Sequence, residues 1–132
     1  MSVDFQVEVE PHCVRLTCQG RYSQKAMLGV FDEALEIAAK NGRKAALVDI
    51  TGLKGAPPDV LDRFELGVAF AEKQNRKEKI VAMVLVGDEP MIDRDRFGEI
   101  VALNRGAIGK VFTDHDEAVA WLETKVNWLL GL

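Results

Sequence analysis

Two segments of this chain, Ala45–Ile50 and Ile80–Val86, run apolar without alternation, interrupted only by Asp49. Such a run marks a strand covered on both faces, because neither face can stay polar beneath a packed layer. Each is far shorter than the ~20 apolar residues that cross a bilayer. A chain with two central strands of this kind has to lay amphipathic helices on both sides of a sheet. The rest of the sequence is therefore read for what supplies those layers.

Three helical patterns follow in order. Ser23 is a good N-cap, and Met27, Val30, Phe31, Ala34, Leu35 and Ala38 trace one apolar stripe up to Asn41-Gly42, which tolerate a left-handed cap. After Pro57-Pro58, with Asp59 as cap, a second helix runs to about Asn75. A third covers about Asp93 to Asn104 and stops at Arg105-Gly106. With a helix between successive strands, the pairing is parallel and the crossovers right-handed. Lys110-Val111-Phe112 is a short last strand, and Asp114-x-x-Glu117 opens a fourth helix with the stripe Ala118, Val119, Leu122, Val126, Leu129 and Leu130.

At the N-terminus, Val3, Phe5, Val7 and Val9 alternate with polar residues, as do Val14, Leu16 and Cys18. Glu10-Pro11-His12 separates them, and so short a connection permits only an antiparallel hairpin. The order ββαβαβαβα predicts an α/β fold: a mixed five-stranded sheet, an N-terminal antiparallel hairpin followed by parallel strands, with about four helices. At 132 residues this is one domain, spanning 1–132, large enough to need no staples.

The charge balance of 17 basic against 21 acidic residues, net −4, argues against nucleic acid or an anionic membrane as main partner. Asp4, Glu8 and Glu10 break up the N-terminus, so no signal peptide is read and a cytoplasmic location is expected. Cys13 and Cys18 lie five apart in one strand, on opposite faces and beyond disulfide reach. With no C-x-x-C and only two histidines, neither a metal nor a cofactor is expected.

The element order, with Val48-Asp49-Ile50-Thr51-Gly52-Leu53 ending the third strand, resembles the STAS fold of anti-sigma-factor antagonists. Arg96-Phe97-Gly98-Glu99, Lys110-Val111-Phe112-Thr113-Asp114 and Glu117-Ala118-Val119-Ala120-Trp121-Leu122 resemble the SpoIIAA-like family of small bacterial proteins, which is related in shape to CRAL-TRIO lipid-binding domains. The resemblance implies a STAS/SpoIIAA-like fold and a non-enzymatic module acting through protein–protein interaction. Antagonists of the signalling type carry a phosphorylated serine or threonine in the loop before the second helix. Here that loop reads Gly52-Leu53-Lys54-Gly55-Ala56-Pro57-Pro58 and offers none; Thr51, at the strand end, is the sole hydroxyl nearby. The alternative the resemblance implies is a small-molecule or lipid carrier of CRAL-TRIO type.

Ligands of open parallel sheets favour the carboxyl ends of the strands. That edge gathers Asp49, Thr51, Gly52, Lys54 and Gly55 from one loop, Asp88 from the next, and His115 from the first turn of the last helix. These are the candidate ligand-binding residues. The plainer reading is that the glycines and prolines punctuate a tight turn and that Asp49 accepts amides of its own loop. An Asp–His pair without a placed nucleophile does not make a hydrolase, so no catalytic residue is assigned.

On the second helix, Val60, Leu61, Phe64, Gly67, Val68 and Ala71 share one face, expected to lie on the sheet. Leu66 and Phe70 then project outward as a candidate protein interface or homodimer patch. Trp128 and the apolar terminus with Leu132 join them, since tryptophan is enriched where proteins associate.

Overall fold

The structure, a computed structural model, describes residues 3–76 and 80–129. Its elements run β1 (Val3–Val9), β2 (Val14–Arg21), α1 (Gln24–Lys40), β3 (Ala45–Lys54), α2 (Val60–Asn75), β4 (Ala82–Val86), α3 (Phe97–Leu103), β5 (Gly109–Phe112) and α4 (His115–Leu129). The five strands form one sheet in the order β1-β2-β3-β4-β5. The β1–β2 hairpin is antiparallel, and every later pairing is parallel.

Sequential strand order has a consequence for the helices. Right-handed crossovers that all step in one direction across a sheet must all fall on the same face. α1, α2 and α3 accordingly share one hydrophobic cluster with Val14, Leu16, Cys18, Ala46, Val48 and Met83. α4 follows the last strand and is no crossover, so it closes the opposite face through Ala118, Leu122 and Val126 against Leu47, Val84 and Phe112. Cys13 belongs to the α4 cluster and Cys18 to the three-helix cluster; both thiols are free.

Local chemistry sets the helix boundaries. Ser23 Oγ accepts the Ala26 N–H at 3.1 Å and starts α1, whose buried stripe is the expected one. Asp59 and Asp62 form a reciprocal capping box on α2. Asp114 Oδ1 accepts the Glu117 N–H at 3.0 Å ahead of α4. α3 begins at Phe97, four residues later than the pattern predicts. The preceding Asp93–Arg96 stretch is a turn in which Arg96 has a φ of 54°, and Asp93 Oδ2 accepts the Phe97 N–H at 3.1 Å. β4 likewise begins at Ala82, because pairing with β3 starts at Ala45↔Ala82 and leaves Ile80 exposed outside the register.

The second helix turns a different face inward from the one its hydropathy predicts. Gly67, Phe70, Ala71 and Gln74 are buried, whereas Val60, Leu61 and Phe64 are exposed. Two interactions set this rotation. Gln74 is 5% exposed and ties α2 to the sheet: its Nε2 donates to Val81 O (2.7 Å) and Ile108 O (2.9 Å), and its Oε1 accepts the Ile108 N–H (2.7 Å). Phe70 meets Phe31 of α1 edge to face, with ring centroids 5.5 Å apart. A polar residue on the inward arc hides that arc from any pattern built on apolar positions.

Candidate functional site

The predicted strand-end site does not converge. Asp49 Oδ1 accepts both the Thr51 N–H (2.9 Å) and the Thr51 hydroxyl (2.7 Å), so one residue's carboxylate braces the next turn of its own strand. Gly52 is packed against β2, where a Cβ would lie 2.6 Å from Cys18 O. β3 continues to Lys54, paired with Arg21, and Gly55 takes a φ of 104° just beyond it. Asp88 is exposed in the loop after β4. His115 stands at the start of α4, with Nδ1 4.0 Å from Asp116 Oδ1. Among the described residues no hydrogen bond or ion pair joins Asp88 or His115 to the Asp49–Gly55 arm. The physical reason lies in the strand order: doubly wound sheets open a crevice where the order reverses, and this sheet never reverses.

The predicted interface residues separate as well. Phe70 is 7% exposed and Leu66 packs against the three-helix core, so neither forms an outward patch. Trp128 is 63% exposed, with Lys125 Nζ 5.0 Å from its ring centroid. Leu132 lies outside the described residues, as do Leu130 and the side chain of Leu129.

What the structure does assemble lies on the three-helix face. A cavity of about 120 Å³ sits between α1, α2 and α3 and the sheet. Ile50, Met83 and Leu85 form its floor, Phe31 and Phe70 one wall, and Ala102 of α3 its roof. Three of the four methionines, Met27, Met83 and Met91, line it. Sequence reasoning put Ile50, Met83 and Leu85 on central strands and Met27 and Phe31 on a covering stripe, turned Phe70 outward, and had no signal for a space among them.

The rim of that cavity carries polar groups whose partners are close by. Arg63 donates from Nη1 to Met91 O (3.0 Å) and Asp93 Oδ1 (3.4 Å), and from Nη2 to Pro90 O (3.1 Å). Arg96 donates to Asp93 O at 2.7 Å, and Glu99 Oε1 accepts the Val111 N–H at 2.7 Å. The Tyr22 hydroxyl donates to Gln24 Oε1 at 2.9 Å, and burial pushes its pKa from 10.0 up to about 12.

The outer surface of the same two helices is apolar. Val60, Leu61 and Phe64 on α2 and Ile100 and Leu103 on α3 are exposed. The helices are drawn together at a glycine: a Cβ on Gly67 would lie 2.5 Å from Gly98 O and 2.9 Å from Val101 Cβ. Arg105, just past α3, stacks its guanidinium 5.4 Å from the Phe64 ring centroid, linking the two apolar strips.

A mixed sheet with an antiparallel leading hairpin, three crossover helices on one face and a closing helix on the other is a STAS/SpoIIAA-like fold. An anti-sigma factor antagonist from Mycobacterium paratuberculosis is similar to the chain with a TM-score of 0.58 and 13% identity, over 92% of this chain and 95% of that one. An uncharacterised protein with a SpoIIAA-like fold from Shewanella loihica gives a TM-score of 0.49 and 18% identity, over 92% of this chain and 93% of that one. No family model matches the chain, and no curated protein matches it in sequence. No helix among the described residues is long and apolar enough to cross a membrane.

Proposed function

We propose that this chain is a non-enzymatic, STAS-like binding module that acts through protein–protein contact, in a regulatory role and without the phosphoacceptor that signalling antagonists carry before α2. The observation that supports it is the apolar outer surface of α2 and α3, centred on Leu61 and Phe64 and extended by Val60, Ile100 and Leu103. Single exposed apolar residues are ordinary, but neighbouring strips on two packed helices form the kind of patch that marks a contact surface. This surface replaces the Leu66/Phe70 patch as the seat of the interaction. Arg105 at its border supplies a cation of the kind enriched at association hot spots. The likeness to an anti-sigma factor antagonist supports the reading at the level of fold.

A Leu61→Glu/Phe64→Glu double variant tests it, since both side chains are exposed and the substitution leaves the core intact. The wild type is expected to retain a protein partner, or a second copy of itself, in cross-linking and light scattering, and the variant to lose it. Identical complexes from both proteins would overturn the assignment. The alternative is a small-molecule or lipid carrier; a cavity of about 120 Å³ lies below the roughly 300–1,000 Å³ of pockets for drug-sized ligands and suits only a small guest.

A further inference from the structure

Protein interiors pack as densely as organic crystals and leave few spaces larger than a water. The cavity of about 120 Å³ beneath α2 and α3, half open to solvent, is a space the flanking helices leave unfilled. Its surroundings show how it persists. Gly67 and Gly98 bring α2 and α3 into backbone contact, and Gln74 pins the end of α2 to the starts of β4 and β5. The roof is thus fixed at two places, and the small residues Ala102, Ala107 and Gly109 in the lining leave the space between it and the sheet unfilled. The hollow is half open to solvent and its walls are mostly apolar, so an apolar guest would be largely covered on entering it; an enclosed cavity of about 150 Å³ lined by aliphatic and aromatic side chains takes up benzene.

We propose that this cavity is a binding site for a small uncharged aromatic molecule of one or two rings. Three features define that class. The volume admits a ring system and excludes a long acyl chain. Phe31 and Phe70 offer an edge-to-face wall, and three thioethers from Met27, Met83 and Met91 are flexible and polarisable enough to close around a flat π-surface. Three of the charged rim groups are already held within the protein: Arg63 by Pro90 O, Met91 O and Asp93, Arg96 by Asp93 O, and Glu99 by the Val111 N–H; Lys110, also in the lining, stands 5.8 Å from the Phe112 ring centroid. A carboxylate ligand would have to displace those bonds to reach Arg63, whereas a neutral ring would leave them in place. The site shares Leu103 with the outer α2/α3 surface but does not rest on the protein-binding reading.

The experiment is a titration of protein carrying ¹³C-methyl-labelled methionine with indole, benzene and laurate. Indole or benzene is expected to move the Met27, Met83 and Met91 methyl resonances saturably, and laurate is not. Ala102→Leu fills the hollow from α3 and is expected to weaken indole and benzene at least tenfold; Ala107→Leu, entering from the loop before β5, serves the same purpose should the first variant fail to fold. The proposal is overturned if neither aromatic saturates below its solubility limit. It is equally overturned if a folded filled variant binds as tightly as the wild type, or if laurate binds tenfold more tightly than indole.

Discussion

The two faces of the sheet are covered by different means. On one, three helices bring in Met27, Phe31, Leu35, Phe70 and Ala102, yet they leave a half-open hollow. On the other, α4 alone packs Ala118, Leu122 and Val126 into Leu47, Val84 and Phe112, and it reaches only the β3–β5 side. Asp4, Gln6 and Glu8 of β1 are left in solvent there. The contrast follows from connectivity. Three right-handed crossovers in sequential order crowd one face, where their mutual packing competes with packing on the sheet. The unconstrained last helix settles directly on the strands. More covering structure has produced the looser core.

Paired truncations would break this comparison if it is wrong. Leu47 is 1% exposed beneath α4 and Met83 is 4% exposed beside the cavity. Leu47→Ala should cost about 4 kcal/mol, near the upper part of the range for buried leucines, because its surroundings are close-packed. Met83→Ala should cost about 2 kcal/mol, since part of its surface already lacks contacting atoms. Urea denaturation measures both. Equal losses would mean that the hollow face is packed as tightly as the α4 face.

Gln74 sharpens the comparison, because it replaces apolar packing with a polar tie on the hollow face. Its amide satisfies two carbonyls and one N–H that are otherwise at strand starts, at 2.7–2.9 Å. Gln74→Ala leaves Val81 O and the Ile108 N–H without this partner, while Ile108 O keeps the Met83 N–H at 3.2 Å, and the expected loss is about 3 kcal/mol, at the upper end for orphaned buried polar groups. Gln74→Leu should rescue little, since an apolar side chain cannot meet the Ile108 N–H. Rescue to wild-type stability would show that the residue serves only as filler.

How much of this could be read from the sequence differed by element. The central strands were legible because burial on both faces leaves no alternation, and α1 because its stripe and cap agree. The inward face of α2 was not. It holds Gln74 and a glycine, and it excludes Val60, Leu61 and Phe64, so hydropathy pointed the helix the wrong way. The start of α3 was displaced because Asp93 caps it through a left-handed Arg96, a geometry that no helix-start pattern encodes. Asp49 to Lys54, read from the sequence as a strand-end loop, belong to β3 itself, and strand order, which a one-dimensional pattern does not fix, decides whether the carboxyl edge has a crevice. The cavity had no sequence signal beyond the methionines themselves, whose scattering along the chain conceals that they meet.

The two thiols probe the faces separately, with the smallest effect. Burial raises Cys18, within the three-helix core, from 9.0 to about 11. Burial, with Glu10 adding to it, raises Cys13 on the α4 face from 9.0 to about 11. Each group holds its proton more tightly folded than unfolded, so stability is full below pH 9 and declines as pH rises from 9 toward 11. By pH 10 the loss should be about 1 kcal/mol for each thiol. Cys18→Ala and Cys13→Ala should each remove about half of that pH slope in denaturation measured from pH 8 to 10. The Cys13 Sγ lies 3.6 Å from Glu10 Oε1, to which it donates, so Glu10→Gln should shrink the Cys13 share and leave the Cys18 share unchanged. If Glu10→Gln altered the slope in a Cys13→Ala background, the carboxylate would be acting across the sheet, and the two faces would not be electrostatically separate.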